Sequence, residues 1–296
     1  MAYQVTHRTD YRYSSAVSSS FGEIVMLPRD LPGQVCVRSQ LTIDPKPHDL
    51  RERLDFFGNR VAYFAVLTPH TRLSVTVQSL VRVSGRRAEP AASGEAPWEQ
   101  VHDRIRAGSD ADALEARQFV LDSPLVTISD QLAEYAAPSF PAGRPVLAAL
   151  SDLSSRIHRD FDFEPGATHV RTTVEEVLER RAGVCQDFAH LAIGCLRSLG
   201  LAARYVSGYL ETRPPPGRER LAGSDVSHAW ASLFVPDTGW IDIDPTNDQL
   251  VNDRYVTTAW GRDYTDVPPL KGVIFTQSDK RHLKVTVDVL PVDEPE

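Results

Sequence analysis

The segment from Arg181 to Leu210, RAGVCQDFAHLAIGCLRSLGLAARYVSGYL, constrains the fold most, because it joins a helix that begins with a cysteine to a strand. After the turn-forming Ala182-Gly183 pair, apolar residues recur at helical spacing, and Gly200 is the type of residue that commonly ends a helix. The apolar positions are Val184, Phe188, Leu191, Ala192, Cys195, Leu196 and Leu199. Cys185 is therefore predicted in the first helical turn, where unpaired N–H groups and the helix dipole stabilise a thiolate.

Two predicted strands downstream carry residues that could act with this cysteine. The run SHAWASLFV (227–235) is followed by the turn residues PDTG and then by WIDIDPTN (240–247). Such runs, separated by a short turn, are typical of a β-hairpin. His228 lies on the first strand and Asp244 on the second, so a hairpin brings their side chains near one another.

The simplest register of this hairpin does not align the two residues directly. Pairing Val235 with Trp240 sets Asp244 opposite Ala231, three residues from His228. We therefore expect a bulge or a wider loop in the hairpin.

The motifs GVCQDFAH, SHAW and GWIDIDPTN, in this order, resemble the bacterial members of the transglutaminase-like superfamily. The resemblance extends from Arg156 to Gly272 and includes ARYVSGYL and GRDYTDVPPLKG; the first ninety residues resemble the β-rich domain that precedes the core in these bacterial proteins. It implies a papain-like fold in which Cys185 is the nucleophile, His228 the base that activates it and Asp244 the group that orients the imidazole.

The whole chain is predicted to be an α+β protein with two domains. Residues 1–84 contain runs of alternating or β-branched residues and predict an all-β, sandwich-like domain. Residues 85–97, rich in Pro, Ala, Gly and charge, predict a linker. Residues 98–296 predict the catalytic domain, beginning with amphipathic helices and closing with a β-hairpin formed by GVIFTQ and HLKVTVDVLPV.

Composition limits the class of partner. The 296 residues are 42% hydrophobic and 24% charged, as in ordinary globular proteins. A net charge of −8 argues against nucleic acid or an anionic membrane as the main partner. We expect a peptide or protein substrate, and the sequence leaves the oligomeric state open.

Cysteine usage bears on compartment and metal content. The three cysteines, Cys36, Cys185 and Cys195, form no C-x-x-C pair, which indicates neither a disulfide framework nor a cysteine-rich zinc site. No run of residues has the length of a signal peptide or a membrane span, so we expect a cytoplasmic protein. We expect no cofactor and no metal, since no EF-hand loop or acidic cage is evident.

Three further residues are predicted to bind substrate. Trp230 shares a strand face with His228 and Phe234, which indicates an aromatic wall around the imidazole or, equally, ordinary core aromatics. Gln186 follows the cysteine, and Tyr264 lies in WGRDY, which resembles a family segment that returns to the site. The Pro- and Arg-rich segment 211–226 predicts a flap beside the site.

Other polar residues near the cysteine are assigned structural roles. His190 lies about 140° around the helix from Cys185, too far to take its proton. Asp187 is expected to cap the helix. Asp242 points to the same side of its strand as Asp244, but Asp244 is preferred because it precedes Pro245, where a strand must end.

These residues predict attack of a thiolate on an amide carbonyl and a thioester intermediate. Water as the acceptor would make the protein a cysteine protease or amidase, and an amine would make it a transglutaminase. The alternative is a protein- or peptide-binding module that has kept the fold and lost the reaction.

Overall fold

The computed structural model describes residues 1–85, 95–108, 110–212, 226–276 and 281–293. The helices are α1 (Trp98–Ala107), α2 (Ala111–Ala116), α3 (Asp130–Ala136), α4 (Val146–Asp160), α5 (Val174–Arg180) and α6 (Cys185–Ser198). The strands are β1 (Ala2–Ile24), β2 (Gln34–Asp44), β3 (Asp49–Leu54), β4 (Arg60–Val66), β5 (His70–Val83), β6 (Asp162–Phe163), β7 (Ala182–Gly183), β8 (Ala203–Leu210), β9 (Ser227–Val235), β10 (Gly239–Asp244), β11 (Gln249–Leu250), β12 (Tyr255–Gly261), β13 (Leu270–Thr276) and β14 (Arg281–Val292). The predicted α+β class, with a β-rich N-terminal region, is confirmed.

The N-terminal part is a curled antiparallel sheet built on the 23-residue strand β1. The first half of β1 pairs with β5 and its second half with β4, with an irregularity between Arg12 and Val17. The two halves enclose an apolar cluster that includes Tyr13, Phe64 and Val75. Burial of this cluster accounts for the alternation of apolar residues along these strands.

The predicted C-terminal hairpin is wrong. Strand β13 pairs with residues 17–24 of β1, and β14 continues in the same direction along residues 2–13. Within the described ranges the two strands therefore add to the N-terminal sheet in succession and do not pair with each other. The cause is the length of β1. One edge of this strand is long enough to pair with β14 along its first half and with β13 along its second half. The domain bounds 1–84 and 98–296 stay a prediction, and most of the linker (86–94) lies outside the described residues.

The second sheet carries the helix that begins with the cysteine. Its strands lie in the order β11-β10-β9-β8-β12, all antiparallel, and α6 packs on β9 and β8. Apolar side chains of α3, α4 and α5 complete the core around α6. Helix α6 ends at Ser198, and Gly200, which was predicted to end the helix, follows the cap with φ of 73°; an added Cβ there would lie 2.6 Å from the ring of His102. Glycine alone fits both the left-handed backbone and this close contact.

Two buried amide side chains connect the sheets at the open edge of β12. The Gln34 amide accepts the N–H of Thr257 and donates to its carbonyl, each at 2.8 Å. The Asn59 amide makes the same pair of bonds to Trp260, at 3.0 and 2.8 Å. The backbone N–H and C=O groups of Thr257 and Trp260, which no strand among the described residues pairs on this edge of β12, are thus paired by side-chain amides. An apolar cluster that includes Tyr3, Tyr209 and Val287 lies beside this edge.

Across the residues that the structure places, no helix combines the length and apolar character needed to cross a bilayer.

Candidate active site

Cys185 is the first residue of α6 and is half-buried. The chain enters the helix through β7, which pairs in parallel with β6, and the Oδ2 of Asp187 accepts the N–H of Val184 at 2.8 Å. Gly183 makes room for that carboxylate, because an added Cβ would lie 2.8 Å from it. The capping role predicted for Asp187 is confirmed, and the sulfur is held at the positive end of the helix.

The register of the β9–β10 hairpin brings His228 and Asp244 together. Val235 pairs with Gly239 and Ala231 with Ile243, one residue away from the simplest register that the sequence suggests. This shift moves Asp244 to the position diagonal to His228 on the same face of the sheet. The ring Nε2 of His228 lies 2.6 Å from Oδ2 of Asp244, and both residues are buried. Neither a bulge nor a wider loop is needed.

Asp244 is fully buried and receives several hydrogen bonds besides that of His228. Its carboxylate accepts the hydroxyl of Tyr255 at 2.7 Å, the side-chain amide of Asn247 at 2.6 Å and the backbone N–H of Thr246 at 2.9 Å. Burial by itself raises the pKa of Asp244, but the hydrogen bonds and charge of His228 and the bonds from Asn247 and Tyr255 outweigh it and lower that pKa. Asp244 is therefore held as a carboxylate.

His228 is placed between this carboxylate and the sulfur. Burial favours the neutral ring, but the hydrogen bonds and negative charges of Asp244 and Cys185 outweigh burial and raise the pKa of His228 to about 10. Since Nε2 faces Asp244, Nδ1 is the nitrogen that faces Cys185. The ring of His228 is therefore protonated beside the sulfur near neutral pH.

Tyr255 and Asn247 donate hydrogen bonds to Asp244 and were not predicted from the sequence as residues of the site. Asn247 is the last residue of the GWIDIDPTN motif, three residues after Asp244, so the motif could have indicated its role. Tyr255 comes from β12, whose neighbour in the sheet is β8, so its hydrogen bond to Asp244 joins two strands that are not adjacent. No local pattern points to it.

Trp230 lies behind the imidazole. Its ring centroid is 6.1 Å from that of His228 and 5.3 Å from that of Tyr255, and its side chain has no exposed surface. The aromatic surroundings of His228 are thus Trp230 and Tyr255, whereas Phe234 packs against Trp240. Trp230 is thus part of the buried aromatic surroundings of the imidazole, and substrate contact by Trp230 stays a prediction.

The other two residues predicted to bind substrate are half-buried. Gln186 donates to the carbonyl of Val170 at 3.5 Å. Tyr264 packs edge-on to Tyr205 and donates its backbone N–H to Nε2 of His190 at 3.1 Å. The buried His190 therefore holds the Tyr264 segment, in line with its structural assignment. Substrate contact by Gln186 and Tyr264 stays a prediction, and most of the predicted flap (213–225) lies outside the described residues.

The other cysteines lie in surroundings that favour the neutral thiol. Cys195 is buried inside α6, and burial raises its pKa to about 12. Cys36, on β2, also has its pKa raised by burial. Among the described residues, no three His, Cys, Asp or Glu side chains converge as a metal-binding group.

The fold and the site define a class: an antiparallel sheet with a His-Asp pair and, beside it, a helix that begins with a cysteine. Residues 3–82 match the bacterial transglutaminase-like N-terminal region, and residues 135–245 match the transglutaminase-like superfamily. An uncharacterised protein of Mycobacterium tuberculosis is 49% identical over 98% of this chain and 93% of its own length. The chain belongs to the transglutaminase-like superfamily.

Two further proteins are similar to this chain. A solved structure of a candidate cysteine protease from Cytophaga hutchinsonii matches all of this chain and 92% of its own, with a TM-score of 0.73 and 20% identity, which establishes the shared fold. A protein-glutamine gamma-glutamyltransferase of Pseudomonas aeruginosa is 31% identical over 87 residues, which are 29% of this chain and 13% of that protein.

Proposed function

We propose that this protein is a thiol enzyme that cleaves amide bonds of peptide substrates through a thioester, with Cys185, His228 and Asp244 as the catalytic residues. The observation that carries the proposal is the 2.6 Å contact of His228 with a fully buried Asp244, on the side of the imidazole opposite the sulfur. A buried carboxylate with several donors holds the ring in one tautomer and orientation, which is its role in triads of this kind.

The geometry supports the following sequence of steps. The Cys185 thiolate attacks the carbonyl carbon, and the backbone N–H of Cys185 at the start of α6 stabilises the resulting oxyanion. His228 then donates its Nδ1 proton to the leaving nitrogen, the C–N bond breaks, and a thioester and a free amine remain. Neutral His228 next removes a proton from the acceptor as it attacks the thioester. The C–S bond then breaks, the acyl product leaves, and the Cys185 thiolate and protonated His228 are restored.

The acceptor decides between hydrolysis and transfer. Water gives a cysteine protease or amidase, and a primary amine gives a transglutaminase. The Pseudomonas aeruginosa relative supports transfer by its name, over a short match only. We therefore propose formation of the thioester, and an experiment must determine whether its acceptor is water or an amine.

A peptide library digested from a proteome separates these reactions. The protein is incubated with the library, with and without a labelled primary amine, and products are identified by mass spectrometry. New peptide termini or deamidated glutamine indicate hydrolysis, and incorporated label indicates transfer; Cys185→Ala must abolish either. Retention of peptides without any product, equal in wild type and Cys185→Ala, would contradict the enzyme proposal and support the binding module.

A further inference from the structure

A cavity lies away from the cysteine, between the N-terminal sheet, α2 and the β9–β10 hairpin. Its volume is about 940 Å³, and none of Cys185, His228 and Asp244 lines it. Much of its wall is aromatic: Phe56, Phe57, Phe119, Phe234, Trp240 and Trp260. Ligand cavities of proteins have this size and this mainly apolar lining, with a few polar groups.

Arginine and tryptophan side chains alternate along one wall of this cavity. The guanidinium carbon of Arg204 lies 3.7 Å from the ring centroid of Trp260 and 4.0 Å from that of Trp240. The guanidinium carbon of Arg29 lies 3.2 Å from the same Trp260 centroid. Because both guanidinium groups contact the same ring of Trp260, the two positive charges lie close together. Their mutual repulsion favours an anion beside them.

Arg204 lacks the acceptors that a buried arginine normally has. It is 7% exposed, its Nε is unpaired, and within the described ranges its guanidinium makes no hydrogen bond or ion pair. Asp242 and Glu115 act on it by charge alone. The Nε of Arg29 and the Oδ1 of Asp242, on the same cavity, are also unpaired. Buried polar groups of native proteins are usually paired.

Arg197 shows how this fold satisfies an arginine that only supports structure. It is 1% exposed and donates to the carbonyls of Ala203, Leu121 and Arg262 and to the hydroxyl of Ser123. Arg204 is buried almost as deeply and has none of these partners. Stacking on Trp240 and Trp260 uses the face of the guanidinium and leaves its in-plane N–H donors available. A ligand is the natural source of the acceptors.

We propose that this cavity binds a small molecule that presents an oxyanion, a carboxylate or a phosphate, to Arg204 and Arg29, and a flat apolar body to the aromatic walls. The planar fork of a guanidinium matches both oxyanions, and the hydrogen bonds are strengthened by charge. The site is separate from the catalytic cysteine and stands whether or not the proposed reaction is found.

Calorimetric titration of the full chain with four related compounds tests this site. Benzoate and phenyl phosphate carry the two oxyanions on a flat ring, whereas benzamide is neutral and benzamidine cationic. We expect saturable binding of at least one anion, and whichever binds more tightly identifies the oxyanion that the site prefers. Neither benzamide nor benzamidine should bind.

Three variants locate the binding. Arg204→Gln should weaken it at least about tenfold, the loss expected from one charge-assisted contact. Arg156→Gln is the matched control, since Arg156 stacks over Tyr135 at 4.5 Å but lies outside the cavity; it should bind as wild type does. Glu115→Gln removes an exposed carboxylate that competes for Arg204 and should tighten binding severalfold, which keeps the test valid if Arg204→Gln does not fold.

Two results would overturn the proposal. One is the lack of saturable binding of either anion by the wild type up to about 10 mM. The other is anion binding that neither Arg204→Gln nor Glu115→Gln changes, because the anion would then lie elsewhere on the protein.

Discussion

Nε2 of His228 lies 2.6 Å from Oδ2 of Asp244, and the two residues are diagonal neighbours on one face of the β9–β10 hairpin. Among the residues that the structure describes, the other donors to that carboxylate all follow it in the chain: Thr246, Asn247 and Tyr255. The imidazole is thus oriented by a carboxylate that is itself held from several sides. Loss of the negative charge of Asp244 should therefore change the orientation of the His228 ring more than it changes the stability of the fold.

Asp244→Asn should lower turnover at least about a hundredfold while the protein stays folded, because the amide cannot hold the same tautomer of His228. His228→Ala should be as damaging as Cys185→Ala. Asp237→Asn is the control: it removes one charge from the exposed turn of the same hairpin, where φ is 67° and asparagine is tolerated. Turnover is measured on a peptide found in the library screen. Unchanged turnover in Asp244→Asn would remove Asp244 from the triad.

Thiol reactivity gives a test that needs no substrate. Cys185 should react with iodoacetamide near neutral pH much faster than Cys195 or Cys36, since burial raises the pKa of both of the latter. Peptide mass mapping of partly labelled protein measures the three rates. His228→Gln should slow Cys185 and leave Cys195 unchanged. Equal rates for the three thiols, or protection of Cys185 alone, would contradict the nucleophile assignment.

Local patterns predicted the elements around the site because each carries its own signal. The period of apolar residues predicted α6, the turn residues predicted the β9–β10 hairpin, and Pro245 favoured Asp244 over Asp242. In the structure Asp244 contacts His228 and Asp242 lines the cavity beside Arg204, and the catalytic role of Asp244 stays a prediction. These features depend on residues that are close in sequence.

Contacts between distant segments could not be predicted in the same way. The alternating residues of β13 and β14 correctly predict strands, but they do not indicate that both strands pair with β1. Nothing near Tyr255 indicates that it donates to Asp244, and nothing near Gln34 indicates that it caps β12. The position of Arg204 between two tryptophans is likewise visible only in three dimensions.

Gly208→Ala should destabilise the protein by about 2–3 kcal/mol, the cost of overpacking. Gly208 lies opposite His228 in the sheet, and an added Cβ would be 2.1 Å from the carbonyl oxygen of Val256 and 2.6 Å from the ring of Trp230. Urea denaturation measures the change. Gly143→Ala, with φ of 76° and open space around the added Cβ, should cost only about 1 kcal/mol of backbone strain. A smaller loss at Gly208 than at Gly143 would show that the sheet relaxes around the new methyl group.

Activity should persist in EDTA, because the proposed steps use only the thiol, the imidazole and the carboxylate. Turnover after exhaustive chelation, compared with turnover in the untreated protein, measures this. A loss that one particular cation restores would reveal a metal requirement.

Acid should destabilise the protein through His7. Its ring is buried beside Tyr209, with Nδ1 2.9 Å from the hydroxyl, and burial lowers its pKa from 6.5 to about 4. Between these values the unfolded chain binds a proton that the folded protein does not, so the free energy of unfolding falls as pH falls through this range. One such group contributes up to about 1.4 kcal/mol per pH unit, and the buried His190, with a pKa lowered to about 4, acts in the same direction.

The His7 contribution can be isolated by denaturation at several pH values between about 6.5 and 4. His7→Gln should make the fall in the free energy of unfolding shallower by up to about 1.4 kcal/mol per pH unit, because it removes one of two buried histidines, His7 and His190, whose pKa is lowered to about 4. Thr9→Val is the control: Thr9 contacts Nε2 of His7 at 3.3 Å, and its loss changes stability without removing the titrating ring, so the slope should stay close to that of the wild type. If His7→Gln keeps the wild-type slope, the acid sensitivity arises elsewhere and His7 is not held neutral by the fold.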